Sequence, residues 1–469
     1  MLSLRTFLEQ HAVSVRRITE PLSINQEITA LQHVLEYAPD QPVFYVERPV
    51  HNDGRVSTMP VVTNLCADRA LTARVLGFED HRQAALAFTG LIGSPIAPIM
   101  IGRSEAPVQE IVLKGEQASL LDIPALRQHE MDAGEYITAG HCSTYERESD
   151  VDNTSIQRCL VKGPRLMSIF PYANSHNARN VEGFWRHDEP CPVAIWIGHH
   201  PAVVLGAQSK LGYPESHWAV TGGFAREAIR LVPSITHGNK LMVPAEAEIV
   251  IEGFIPPHRL EADGPFGEFT GYFGEQIIAP VIEVTCITRR KDAIYHDIGA
   301  GLPDHLTPDN MAMEAKVYAL ACAAAPSVVN VHVPYSGRRF HAYIQFRSPR
   351  RGEVRDALVA ALSYRRIRTV IAVDDDVDIF NDGDMMWALA TRVQWHRDQI
   401  RIDGLTHPSL DPSKPIGAAT VTKSGIDATM PPSAGSHVPR PFLPILRAKA
   451  GPEQKARDIL RKLASVEKR

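Results

Sequence analysis

No two cysteines in this chain stand in a CxxC pair. The six present, Cys66, Cys142, Cys159, Cys191, Cys286 and Cys322, are scattered over 469 residues. That pattern argues against a disulfide framework and a cysteine-based zinc site, and it fits a reducing compartment. No stretch approaches the roughly 18 apolar residues of a membrane span. The N-terminus, MLSLRTFLEQHAVSVRR, lacks the apolar core of a signal peptide. Neither sign of charge dominates: 49 Lys and Arg face 54 Asp and Glu, for a formal charge of −5. No basic cluster is interleaved with aromatics, so no nucleic-acid partner is expected. GxSxG, HExxH, the P-loop pattern and a dinucleotide GxGxxG framework are all missing. Internal repeats and low-complexity tracts are missing too. On these grounds a soluble, cytoplasmic protein is expected.

What is present is ordinary globular material, 44% hydrophobic and 22% charged, in a length that implies two or three domains. Residues 1–115 read as a small α/β unit. Helical spacing covers 2–11 and 26–38, strands lie near 43–47 and at Val61, and a helix follows Cys66 with Asp68 near its start. The Pro- and Gly-punctuated run 96–115 reads as a connector. From 116 to 304 short β-rich runs separated by turns predict a barrel or sandwich: STYERE, TSIQRCLV, RLMSIF, PVAIWIG, AVVLGA, AEIVIEGFI and PVIEVTCITRR. One helical segment near 218–230 interrupts them. Residues 305–445 alternate helix and strand and predict an α/β unit. A Pro-rich link at 430–444 leads to a basic helix over 446–469. The fold class is α+β.

The stretch EADGPFGEFTGYF, 261–273, places two carboxylates, Asp263 and Glu268, on a turn made of Gly264, Pro265 and Gly267. Such a turn specifies the backbone path and can aim both acids at one point. Phe266, Phe269, Tyr272 and Phe273 could wall the site and raise a carboxyl pKa by excluding water. Read alone, the stretch fits a surface loop equally well.

Other residues carry chemistry only in combination. In NTSIQR, 153–158, Asn153 and Arg158 are five apart, so on a strand they face opposite sides. They serve two subsites of one ligand only if a bend separates them. Arg158 has the planar fork that holds carboxylates, and a solvated face would also suit it. Asn153, His176 and a third group from 215–217 would make an O/N ligand set suited to Mn²⁺ or Mg²⁺. Lys423, flanked by Thr422 and Ser424 in a Gly-containing loop, suits a phosphate. Asp374, Asp375 and Asp376 follow a strand and read as its solvated end. His296, Asp297 and the GLPDH turn at 301–305 fit either a pocket wall or a domain junction.

In order and spacing, NTSIQR, His176, TGGFAREAIRLV (221–232), VPAEAEIVIEGFI (243–255), DGPFGEFTGY (263–272), VDDDVDIFNDGDMMWALATR (373–392) and KSGIDAT (423–429) resemble the UbiD family. Its members are prenylated-FMN-dependent decarboxylases of aromatic, heteroaromatic and α,β-unsaturated acids. The resemblance covers nearly the whole chain. It implies an N-terminal α/β unit, a split β-barrel of the flavin-reductase kind that holds the cofactor, and a C-terminal α/β domain that makes a homodimer.

The resemblance also implies site roles. Asn153, Ser155, Ile156, Gln157, Arg158, His176 and Lys423 would contact the cofactor, Lys423 through its phosphate. Asn153 and His176 match two ligands of a divalent metal, typically Mn²⁺, with K⁺ nearby. The family's third ligand is Glu, and this chain has His217 there, with Glu215 two residues earlier. Arg158 and Glu268 match two of three catalytic residues. The third is Asp263 where the family has Glu, shortening the reach by about 1.5 Å, one C–C bond. Implied is a reversible, non-oxidative decarboxylase in which Arg158 pairs with Asp263 and Glu268 donates the proton, supplied with cofactor by a separate flavin prenyltransferase. The alternatives are an FMN-dependent reductase and a non-catalytic subunit of a multi-subunit carboxylase.

Overall fold

A computed structural model describes residues 1–171, 175–350, 352–430, 446 and 448–466. The Pro-rich link expected at 430–444 lies outside the described residues apart from Met430.

Six strands close a barrel in the middle of the chain. Leu166–Ser168 pairs with Asp152–Gly163, followed by Tyr136–Tyr145, Cys191–Ile197, Ile249–Ile255 and Ile277–Arg289, which returns to pair with Leu166–Ser168. Neighbouring strands are antiparallel, as short strands joined by tight turns dictate. Ile195, Ile197, Ile249 and Ile251 are buried in the largest core, where Trp196 stacks on His141 at 4.1 Å. Closure pairs these six strands into a ring, and Ile111–Lys114 and Leu260–Asp263 add to Ile277–Arg289 beside it.

Two local expectations fail here. The supposed connector contains Ile111–Lys114, which pairs with Ile277–Arg289 on the barrel. AVVLGA is no strand but part of the helix Pro201–Gly206. Pro201 presets the first helical turn, and the His200 side chain accepts from the Ala202 amide at 3.2 Å. A short apolar run carries no periodicity that separates the two states, so the cap decides.

The N-terminal unit has its expected helices, Leu4–Gln10, Glu27–Val34 and Arg69–Val75, the last capped by Asp68 at 2.7 Å from the Leu71 amide. Its sheet runs Val15–Ile18, Val43–Val46, Val61–Thr63 and then Tyr295–His296. The fourth strand comes from beyond the barrel.

The expected GLPDH turn is the start of a long helix, Pro303–Ala324. Asp304 in its first turn accepts the amides of Asn64 and Cys66 at 2.9 and 2.7 Å, joining helix to N-terminal unit. The C-terminal sheet runs Val328–His332, His341–Phe346, Thr369–Asp374, Thr420–Asp427, Gln399–Thr406, with an apolar core on each face. At the end of Thr369–Asp374, Asp375 and Asp376 pair with Arg347 and Arg392. A last helix, Ala450–Val466, is exposed wherever it is described. Among the described residues no helix is long and apolar enough to cross a membrane.

Candidate active site

The arm at 261–273 leaves the barrel through the strand Leu260–Asp263, which pairs with the start of Ile277–Arg289. Gly264 has φ +81°, and a Cβ there would meet the Glu275 carbonyl at 2.9 Å, so only glycine fits. The chain then forms a two-residue ladder, Phe266–Gly267 with Phe273–Gly274. Asp132 fixes the turn by accepting the Gly267 amide at 3.0 Å. Phe266 and Phe269 are buried, whereas Tyr272 and Phe273 face solvent, so half of the expected aromatic wall is turned away.

Asp263 is fully buried at the mouth of the barrel. Ser168 donates to it at 2.6 Å and the Tyr136 hydroxyl at 3.1 Å. Tyr136 in turn accepts the Gly264 amide at 3.0 Å. Burial and the neighbouring carboxylate hold the phenol well above its ordinary pKa, so Tyr136 stays a donor.

Arg158 and Glu268 form a direct hydrogen-bonded ion pair. Arg158 also lies 3.7 Å from Asp263, a looser approach than the Arg158–Asp263 pairing expected from sequence. The shorter aspartate is occupied by Ser168 and Tyr136 instead. The guanidinium sits 5.2 Å from the Phe170 ring centre and 5.0 Å from that of Phe266, an aromatic sleeve that fixes its plane. Burial pushes the Glu268 carboxyl up, even though Arg158 and Arg339 pull it down.

No register break separates Asn153 from Gln157, so the bend expected between Asn153 and Arg158 is missing from their own strand; an irregularity lies only on the neighbouring strand. The register between Tyr136–Tyr145 and Asp152–Gly163 shifts between Ile137 and Gly140, opposite Arg158. Such a bulge twists the pair and re-aims side chains. Asn153, Ser155 and Gln157 share one face, with Gln157 donating to Ser155 at 3.1 Å, while Ile156 and Arg158 occupy the other.

At the Asn153 end, His176 opens the helix His176–Trp185 behind its cap Ser175. Its ring centre is 6.2 Å from that of His217. The His217 Nε2 lies 3.0 Å from the Ser209 carbonyl and therefore carries the proton. Its Nδ1 lone pair is buried without a hydrogen-bond partner, as is the Asn153 Nδ2. Burial lowers the His217 pKa to about 4, so the ring is neutral. A neutral imidazole anchored through its far N–H is the usual form of a metal-binding histidine. Glu215 is exposed with its carboxylate over Gly212, and its charge acts on the His176 ring. Among the described residues no three His, Cys, Asp or Glu side chains converge. Asn153, His176 and His217 thus fit a cation of modest charge demand better than one needing carboxylates.

Lys423 is on the strand Thr420–Asp427, not on a loop. Its ammonium donates to the carbonyls of Leu362 at 3.0 Å and Tyr364 at 2.8 Å. The hydroxyl neighbours that suggested a loop alternate with it along the strand. His296 and Asp297 lie at the junction between barrel and N-terminal sheet, where Asp297 accepts from Thr138 and Gln128, each at 2.8 Å.

Tyr136, Ser168, Asp132 and Arg339 were not foreseen. Each meets the arm from a distant part of the chain. No local spacing marks them.

Three family models match consecutive parts of the chain: the N-terminal domain of 3-octaprenyl-4-hydroxybenzoate carboxy-lyase over 8–87, its Rift-related domain over 100–303 and its C-terminal domain over 309–428. The UbiD-class enzyme HmfF of Pelotomaculum thermopropionicum, solved with FMN, is 30% identical, with 96% of this chain and 98% of that one covered and a TM-score of 0.88. This chain belongs to the UbiD family. An evolved dimeric form of HmfF, at 29% identity and TM-score 0.85 over 96% and 98% of the two chains, is solved with prFMN. The 3,4-dihydroxybenzoic acid decarboxylase AroY of Klebsiella pneumoniae is 25% identical over 97% and 99% of the two chains, with a TM-score of 0.85. The vanillic acid decarboxylase of Sedimentibacter hydroxybenzoicus, in its open form, is 26% identical over 98% and 99%, with a TM-score of 0.83. Like other UbiD proteins, this one is a carboxy-lyase.

Proposed function

We propose that this UbiD protein is a reversible, non-oxidative decarboxylase of an aromatic or heteroaromatic carboxylic acid, working with prenylated FMN. The observation that carries the reading is the buried Arg158–Glu268 pair, in which burial holds the carboxyl above its ordinary pKa. When bound, the modified flavin supplies an electron sink for the pair left behind by CO₂.

The chain's own residues do the rest. Arg158, fixed between Phe170 and Phe266, orients the substrate carboxylate without stabilising it as an unpaired cation would. Glu268 holds the proton that the decarboxylated carbon receives; in the carboxylating direction it takes that proton back. Asp263 positions Arg158 from one side, locked by Ser168 and Tyr136. Phe266 and Phe269 keep water from competing as the proton source.

Asn153, His176 and His217 would hold a divalent metal, Mn²⁺ in the first instance, that counters the cofactor phosphate. K⁺ nearby would add to this. Ser155, Ile156 and Gln157 would line the cofactor along the same strand, and the third proton of Lys423 remains for the phosphate. A homodimer in the cytoplasm, loaded by a flavin prenyltransferase, completes the proposal.

The test is Glu268→Gln in protein reconstituted with prenylated FMN. Decarboxylation and substrate H/D exchange in D₂O should fall about 10²–10⁴-fold with the cofactor still bound. Turnover within threefold of the parent would remove Glu268 from the proton-donor role.

A further inference from the structure

One short segment, 127–133, reaches the surroundings of Glu268 by two routes. The first runs through Asp132, whose buried carboxylate gives each oxygen a different partner. Oδ1 accepts the Gly267 amide at 3.0 Å, one residue before Glu268. Oδ2 accepts amides of its own segment, Gln128 at 3.1 Å and His129 at 2.8 Å. Such charge-assisted bonds are stronger than neutral ones and tie the arm to the segment. The Ala133 amide adds a bond to the Pro265 carbonyl at 3.0 Å. The His129 ring packs on Gly267, where a Cβ would come within 2.5 Å of it. The second route runs through Gln128, which is also buried. Its Nε2 donates to Asp297 Oδ2 and to the Ile298 carbonyl, each at 2.8 Å, and its Oε1 accepts the Ala300 amide at 2.8 Å. These three bonds lead the chain into Gly301, the residue pressed against the Glu268 carbonyl.

The segment is itself fixed by the N-terminal unit. The Arg127 amide donates to the Ile24 carbonyl at 3.0 Å, and the Arg127 carbonyl accepts the Gln26 amide at 2.8 Å. The helix Glu27–Val34 begins at that point. Its Gln32 stands so close to Gly299 that a Cβ there would collide with the glutamine side chain. His33 of the same helix meets His129 edge-on, with ring centres 5.2 Å apart. Backbone and side chains packed this closely leave neither route free to move without the other.

We propose that Gln128 and Asp132 are positioning residues of the reaction, through which the N-terminal unit sets where Glu268 stands relative to Arg158. Neither residue touches the reacting atoms. The inference rests on the decarboxylase reading for what Glu268 does, but not for the coupling of the two routes.

Amide hydrogen exchange in FMN-loaded protein tests that coupling without a substrate. Gln128→Met alters only the route to Ala300, yet the Gly267 amide on the arm should exchange about tenfold or more faster. Asp132→Asn keeps the shape but turns an NH₂ toward an amide, and it should speed exchange at Ala300 as well as at Gly267. Catalysis is then read in protein carrying prenylated FMN, with the most active acid from a panel of hydroxybenzoate, furan, pyrrole and indole carboxylates. Each variant should lower kcat about tenfold or more, with KM and FMN affinity changed by less than about threefold. The pH limb assigned to Glu268 should move to lower pH, because a displaced carboxyl is less desolvated. A purely structural role would leave that limb in place. Should one variant fail to fold, the other is read in the same way. Unchanged Gly267 exchange in Gln128→Met overturns the inference, and so does a limb that stays where it is in the parent. Absence of turnover across the whole panel counts against the decarboxylase reading alone, and the exchange measurement then decides the inference.

Discussion

Asp263 shows how one shortened side chain is accommodated. Ser168 and Tyr136 take up both of its oxygens, so the pocket is built for aspartate. Restoring a longer acid, Asp263→Glu, adds a methylene to a fully buried position and should cost about 1–3 kcal/mol, read as a lower urea midpoint, with no gain in kcat. Ser168→Ala leaves a buried carboxylate oxygen without its donor, a loss of about 1–3 kcal/mol by the same measurement. Its kcat should fall more than its KM changes, because Arg158 loses support rather than the substrate losing a contact. The raised Glu268 carboxyl fixes the sign of the pH response. Protonated Glu268 is the donor, so kcat for decarboxylation should fall as pH rises through its elevated pKa, and Glu268→Gln should abolish that limb. At this scale the sequence was legible in combination rather than residue by residue. Arg158 and Glu268 were ambiguous one at a time, a strand arginine and an acid on a Gly-Pro turn, and were singled out only by the resemblance of the whole set of motifs. Ser168 and Arg339 were not singled out, because their significance lies wholly in what they touch across the fold.

Between elements, the arm is held by backbone contacts that admit no Cβ. Gly301, with φ +73°, passes so close to the arm that a Cβ would come within 2.7 Å of the Glu268 carbonyl. Gly301→Ala should displace Glu268, and a shift of about 1 Å is enough for a ~10²-fold loss of kcat. Cofactor binding and the urea midpoint should change far less, since the barrel core is untouched. The elements themselves were read well where amphipathic period or β-branching was strong, as in Ile249–Ile255 and Arg69–Val75. They were misread at Pro201–Gly206 and Thr420–Asp427. In the first, six apolar residues fit helix or strand alike; in the second, glycine and hydroxyls mimic a loop while partner strands on both sides impose extension.

For the molecule as a whole, the three parts meet around residue 301. Arg338 of the C-terminal domain and Tyr335 both donate to the Gly301 carbonyl, and both reach Glu36 of the N-terminal unit. Arg338→Met should loosen this junction, lowering the thermal midpoint by several degrees on a loss of about 1–3 kcal/mol. The buried carboxyl of Asp297, at another such junction, is pushed up to about 7 from an ordinary 3.8. Between those values the folded state keeps a proton that the unfolded chain has released. Stability should therefore fall as pH rises from about 4 to 7 and gain no further loss from this group above it. Urea midpoints at pH 5 and 8 test this, and Asp297→Asn should flatten the difference. The fourth strand of the N-terminal sheet, Tyr295–His296, has one more consequence. During synthesis the first unit of the chain leaves the ribosome with one strand of its sheet missing, and the whole barrel must follow before that strand is delivered. The N-terminal part is thus a waiting partner rather than an autonomous module, completed only when the barrel behind it has been made.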